Sequence, residues 1–122
     1  MSGAVSWQRA EGALVFLAGL ALVWVQPGGL PWWAAVLLFF APDLGFAAYG
    51  AGPRVGAAVY NTLHLYAGGA VLLALGLWLS LPVLWPLGAL WLAHCGLDRA
   101  LGYGLKSPEG FTITHLGRIG RR

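Results

Sequence analysis

Four side chains able to bind a metal or move a proton stand in otherwise apolar sequence: Asp43, His64, His94 and Asp98. His94 and Asp98 are spaced i,i+4, so a helix presents them on one face. Tyr60 and His64 share that spacing, and Asn61 joins His64 at i,i+3. Two imidazoles and two carboxylates suit zinc, iron or manganese, with a position left for water. In that reading His64, His94 and Asp98 bind the metal, and Asp43 is a further ligand or the general base. Tyr60 and Asn61 orient the site, and Arg99 binds an anionic group or pairs with a carboxylate. The His-x-x-x-Asp spacing alone is weakly specific; the second histidine at matching depth strengthens it.

Other chemistries use the same residues. Asp and His in series through a helix bundle can relay protons or small ions, although the outer half of the chain offers no ionisable group to continue the path. A structural reading pairs Asp98 or Asp43 with Arg99 or Arg54 and lets the histidines bond carbonyls or tyrosine hydroxyls. A haem reading makes His64 and His94 opposed axial ligands. Cys95, next to His94, points to another face and reads as a packed small residue. As the single cysteine, it forms no internal disulfide. Trp91 and Tyr103 read as packing or interfacial groups.

The elements that must carry these residues are membrane spans. Of the 122 residues 59% are hydrophobic and 9% charged, against roughly 25% charged in soluble domains. Too few charges remain to cover a water-facing surface. The expected fold is all-α: a single domain, 1–122, forming an integral membrane four-helix bundle with antiparallel neighbours. The spans run over about 11–26, 30–49, 55–79 and 83–105, separated by Pro27-Gly28-Gly29, Gly50-Ala51-Gly52-Pro53 and Ser80-Leu81-Pro82. The first span is short. No small-x-small cleavage site follows it, so it reads as a retained helix rather than a signal peptide. Pro42 adds a local break in the second. Gly45, Gly56, Gly68, Gly69 and Gly96 allow close helix approach, and such faces also favour a homo-oligomer.

Arg9, Arg54, Arg99, Lys106, Arg118, Arg121 and Arg122 fall on one side of this layout, and the loops around Gly28 and Leu81 carry no charge. The excess of basic residues places both termini in the cytoplasm, in a multi-pass protein of a bacterial inner membrane. Trp24, Trp32, Trp33, Trp78 and Trp85 mark the outer interface. At about 1.5 Å per residue, Asp43, His64 and His94 then converge near the midplane, with Asp98 one turn nearer the cytoplasm. The partners are membrane lipids and a lipophilic small-molecule substrate. No aromatic–basic interleaving suggests nucleic acid. Residues 106–122 form a cytoplasmic tail whose Phe111, Ile113 and Leu116 can lie along the membrane, with His115 folding back under the inner mouth as a third histidine. The plainer alternative is a solvated tail whose arginines bind anionic headgroups.

The strings Ala41-Pro42-Asp43-Leu44, Gly52-Pro53-Arg54-Val55-Gly56, Tyr60-Asn61-Thr62-Leu63-His64, His94-Cys95-Gly96-Leu97-Asp98-Arg99, Leu101-Gly102-Tyr103-Gly104-Leu105-Lys106 and Thr114-His115-Leu116-Gly117 resemble the domain-of-unknown-function 4260 family of small bacterial integral membrane proteins. The resemblance covers about residues 11–118 and is specific in combination. It implies the four-span fold and points at the same polar positions, but it supplies no activity. Cys95 departs from the aliphatic residue the family leads one to expect there. A looser similarity is to membrane-bound metal-dependent hydrolases, which carry His and Asp-Arg pairs at helix ends with a Thr-His further on. It is an analogy that does not fix function.

Overall fold

A computed structural model of the chain describes residues 3–26 and 29–119. The breaker residues Pro27 and Gly28, and the terminal Arg121 and Arg122, lie outside the described residues. The chain is mostly helical. Helix α1 spans Gly3–Trp24, α2 Trp32–Phe39, α3 Pro53–Leu63, α4 Tyr66–Trp78 and α5 Leu84–Leu101, with a 3₁₀ helix, Ala41–Ala51, between α2 and α3. Because the 3₁₀ helix continues α2 and α4 continues α3, the helices make four rods. Two of these, Trp32–Ala51 and Pro53–Trp78, are long and apolar enough to cross a membrane. The first rod is not short: α1 begins at Gly3 and carries Arg9 and Glu11 within it. Arg9 fits there because its Nε donates to the Ala100 carbonyl at 2.9 Å, satisfying an orphan group at the end of α5.

Helix α5 is the centre of the molecule, and half of the buried helical positions are on it. It runs antiparallel to α1 on one side and to α4 on the other. Gly12 and Gly19 of α1 meet Gly96 and Ala89, and Gly69 and Gly76 of α4 meet Gly88 and Trp85. Each pair of glycines on α1 and α4 is seven residues apart, which keeps both on one seam. A Cβ at Gly19 would lie 2.7 Å from the Ala89 carbonyl oxygen, and one at Gly69 2.8 Å from that of Gly88. The backbones therefore touch where side chains would hold them apart. Sequence reading had singled out Gly69 and Gly96 but not Gly12, Gly19, Gly76 or Gly88.

Two breaks interrupt the rods, one of them at the expected Pro42. The second rod stops being α-helical at Phe40, ahead of Pro42, which lacks the N–H that would continue the ladder. The 3₁₀ helix that follows has three residues per turn, so Asp43, Phe46 and Tyr49 share one face. The third rod breaks at His64 and Leu65, where Leu65 is extended (φ −80°, ψ 148°).

The expectation of an all-α chain needs correction at the C-terminus. Gly102 closes α5 in the left-handed conformation at φ 93°, with Tyr103 N–H bonded to the Asp98 carbonyl at 2.7 Å, a Schellman-type stop. Beyond it, β1 Lys106–Ser107, β2 Gly110–Thr114 and β3 Gly117–Arg118 form an antiparallel sheet in the order β1-β2-β3. Thr114 pairs with Lys106 on one side and Gly117 on the other. Residues 106–118 thus form a small folded sheet rather than an unstructured tail.

Candidate metal centre

Asp43, His64, His94 and Asp98 come together as one group whose donor atoms all lie within 4.8 Å of one another. Asp43 comes from the first turn of the 3₁₀ helix, His64 from the break between α3 and α4, and the other two from successive turns of α5. The two imidazole Nε2 atoms face each other at 3.2 Å. Asp43 Oδ1 lies 3.1 Å from His94 Nε2 and 3.4 Å from His64 Nε2. Asp98 Oδ2 lies 3.4 Å from both. A tetrahedral metal with bonds of about 2.0–2.1 Å holds neighbouring ligand atoms about 3.3–3.4 Å apart. Five of the six edges of the group are close to that length.

The tautomer of His64 sharpens this. Its Nδ1 lies 2.8 Å from the Tyr60 carbonyl oxygen, which can only accept, so Nδ1 carries the hydrogen. Its Nε2 lies beside another imidazole nitrogen and two carboxylate oxygens. Such a group can share protons or hold a metal ion. A proton serves one donor–acceptor line at a time, whereas a metal ion serves all four. The carbonyl–imidazole contact is also the usual outer partner of a metal-binding histidine. The Tyr60 ring stacks on His64 at a centroid distance of 3.8 Å and 10° between planes, so Tyr60 orients the imidazole from both its ring and its backbone. His94 is held differently. Phe39 and Phe40 present their edges to its ring, and its buried Nδ1 has no hydrogen-bond partner among the described residues.

The remaining candidates lie around the group rather than in it. The Arg99 guanidinium, 3% exposed, donates to the His64 carbonyl at 2.8 Å and lies over the Tyr66 ring. Among the described residues it forms no ion pair, so the expected pairing of Arg99 with a carboxylate is not made. Arg54 is exposed on the first turn of α3 and does not join the group. Two further donors from α5 serve the same break: Trp91 Nε1 donates to the Leu63 carbonyl at 2.6 Å, and the Cys95 thiol lies 3.5 Å from it. Trp91 thus does more than pack. Asn61 bonds the backbone of Lys106 twice, donating to its carbonyl at 2.8 Å and accepting from its N–H at 2.6 Å. It fixes β1 against α3.

His115 does not become a third histidine of the centre. Its Nδ1 accepts the Leu105 N–H at 2.8 Å, and burial, then the charge of Arg99, push its pKa below the ordinary histidine value. Nor does the geometry hold a haem between the imidazoles. Axial nitrogens stand about 4 Å apart across an iron, with the porphyrin plane between them. Here the nitrogens are closer, and Asp43 and Asp98 occupy the plane.

The residue that sequence reading missed is Lys106. It is 5% exposed, and its Nζ lies over the rings of Phe111 at 3.7 Å and Tyr60 at 5.0 Å. Burial pushes its pKa below the usual lysine value, while Asp98 opposes that shift. With Asp43, Asp98, Tyr60, Phe46 and Phe111 it lines a cavity of about 190 Å³ beside the centre. The only cue in the sequence was a lysine between aromatics, Tyr103 and Phe111, in a glycine-punctuated stretch.

The family described as a domain of unknown function (DUF4260) matches residues 5–119. The chain belongs to that family. No curated protein and no solved structure matches it. All four residues of the candidate centre, and Lys106, fall within the DUF4260 match.

Proposed function

We propose that this DUF4260 chain is a metal-dependent enzyme embedded in the bacterial cytoplasmic membrane, acting on a lipid-soluble substrate reached from the inner leaflet. The single observation that carries it is the near-tetrahedral set of four donors from Asp43, His64, His94 and Asp98. Membrane insertion is supported by an inverted distribution of residue types. Gly12, Gly19, Gly69, Gly96, His64, His94, Arg99 and Lys106 are buried, whereas Leu14, Leu37, Leu44, Val71 and most tryptophans are exposed. A water-soluble monomer rarely shows so much contiguous apolar surface. Trp24, Trp32 and Trp78 are exposed at one end of the rods, and Arg9, Arg54 and Arg118 belong to the other, as the aromatic belt and the excess of inner positive charge require.

Within the centre, His64, His94 and Asp98 are the permanent ligands. Their side chains are 0%, 3% and 17% exposed, against 38% for Asp43. Asp43 faces the cavity and is the group that can give way to water or substrate, or take a proton from it. A zinc, iron or manganese ion held here supplies a Lewis acid able to polarise a carbonyl or phosphoryl oxygen. The side chains of Phe39 and Phe40 and the lipid beyond them exclude bulk water.

The test is elemental analysis of the detergent-purified protein beside its His94→Ala variant. The expected result is close to one transition metal per parent chain and its loss in the variant. A parent free of metal after chelator-free purification and metal add-back overturns the reading; the four groups are then held together by protons.

A further inference from the structure

A buried ammonium normally has a carboxylate partner, because stripping a charge of water is costly. Lys106 is buried to 5% exposure, yet among the described residues its Nζ forms no ion pair. Its neighbours are the faces of Phe111 and Tyr60. Such contacts leave the ammonium without an anionic partner. Its backbone is fixed by the paired bonds to Asn61, so this is not a surface lysine folded down by chance. The space it looks into, about 190 Å³, is more than ten times what a single water needs. One wall of that space is Asp43 and Asp98 and another is the rings of Phe46 and Phe111.

We propose that this cavity binds the oxyanion of a substrate, a phosphate or carboxylate head on an apolar chain, with the oxyanion on Lys106 and the adjoining bond at the Asp43–Asp98 edge of the centre. The proposal deepens the enzymatic reading and rests on it for the second half of the claim. Two carboxylates alone would repel an anion. With two neutral imidazoles and a divalent ion, the centre carries no net charge, and Lys106 decides the sign of what enters. Arg99, the residue expected to bind an anion, is turned away onto the His64 carbonyl.

The experiment titrates the metal-loaded full chain, in neutral detergent, with dodecyl phosphate, dodecanol and inorganic phosphate, and repeats it with Lys106→Gln and Lys106→Arg. Metal content is measured on every sample. Dodecyl phosphate is expected to bind the parent at least tenfold more tightly than dodecanol, Lys106→Gln to abolish that preference, and Lys106→Arg to restore most of it. Lys106-dependent binding of inorganic phosphate also supports the site and names a soluble anion as its source. Equal affinity of the parent for dodecyl phosphate and dodecanol, with no phosphate binding, overturns the proposal even if neither variant folds. So does a well-folded Lys106→Gln protein that keeps the preference. If Lys106-dependent binding is found in protein without metal, the anion site stands and the metal reading falls. If metal is present and the preference absent, the reverse holds.

Discussion

Helix α5 carries two adjacent polar stripes with different duties. His94 and Asp98 aim at side-chain lone pairs from two other rods. Trp91, Cys95 and Arg99 aim at backbone carbonyls, those of Leu63, Leu65 and His64. The second stripe compensates for the break at His64 and Leu65, whose freed carbonyls would otherwise lack partners in an apolar setting. The break in turn lets His64 leave the helical ladder and reach the centre. Polar residues deep in an apolar bundle are thus of two kinds, and residue type does not separate them. The partner does: a neutral carbonyl is satisfied by one donor, whereas two carboxylates and two imidazoles at one point need a shared proton or cation between them.

If the stripes are separate, variants in the first should abolish metal binding, and variants in the second should cost stability and at most weaken metal binding through a ligand they support. The largest effect on the second is expected from Arg99→Ala. It leaves the buried His64 carbonyl without its donor, at about 1–3 kcal/mol, and removes the support of a ligand, which lowers metal affinity by about 10–100-fold. Thermal unfolding and zinc competition in detergent measure the two losses. Arg99→Lys should recover part of the stability. A stable Arg99→Ala protein with no measurable metal affinity would place Arg99 in the first stripe and collapse the distinction.

A smaller effect separates the stripes more cleanly. Trp91→Phe removes only the indole N–H on the Leu63 carbonyl, and the Cys95 thiol remains near that oxygen. The expected destabilisation is about 1 kcal/mol, with metal content unchanged. Coupled loss of metal would mean that the break and the centre move as one unit.

The first stripe was readable in sequence and the second was not. His94, Asp98, His64 and Asp43 stood out because ionisable groups are costly among apolar runs, and counting rise per residue brought Asp43, His64 and His94 to one depth with Asp98 a turn away. The break they depend on has no signature: Leu63-His64-Leu65-Tyr66 contains neither proline nor glycine, and the donors that stabilise it lie some thirty residues away. Pro42 announced the other break but not its outcome. A 3₁₀ run of eleven residues is far longer than the usual three or four, so Tyr49 was not expected on the face of Asp43 and Phe46. The C-terminal strands were missed because two of them are two residues long. The β-branched Thr112-Ile113-Thr114 was the available signal. With the strands went Lys106, whose burial depends on Asn61 holding β1 in place.

The smallest expected effect tests that same edge of the molecule. His115 accepts the Leu105 N–H through Nδ1, and it can do so only while that nitrogen is unprotonated. Burial and the Arg99 charge lower its folded pKa, below an unfolded value of about 6.5. Between the two values the unfolded hairpin binds more protons, so stability rises with pH across that window. The contribution is complete above about pH 6.5 and is lost as pH falls through the folded value. Hydrogen exchange at the Leu105 amide, corrected for intrinsic rate, should therefore show less protection at about pH 5.5 than at about pH 8. In His115→Phe the difference should vanish. Equal protection at both values in the parent would mean that the hairpin is held by Asn61 and the strand pairing alone. Since His115 lies outside the four-residue centre, metal content should stay constant through the same titration, down to the pH at which the ligands themselves take up protons. A fall in metal content that tracked the His115→Phe substitution would show instead that the sheet is the floor of the centre.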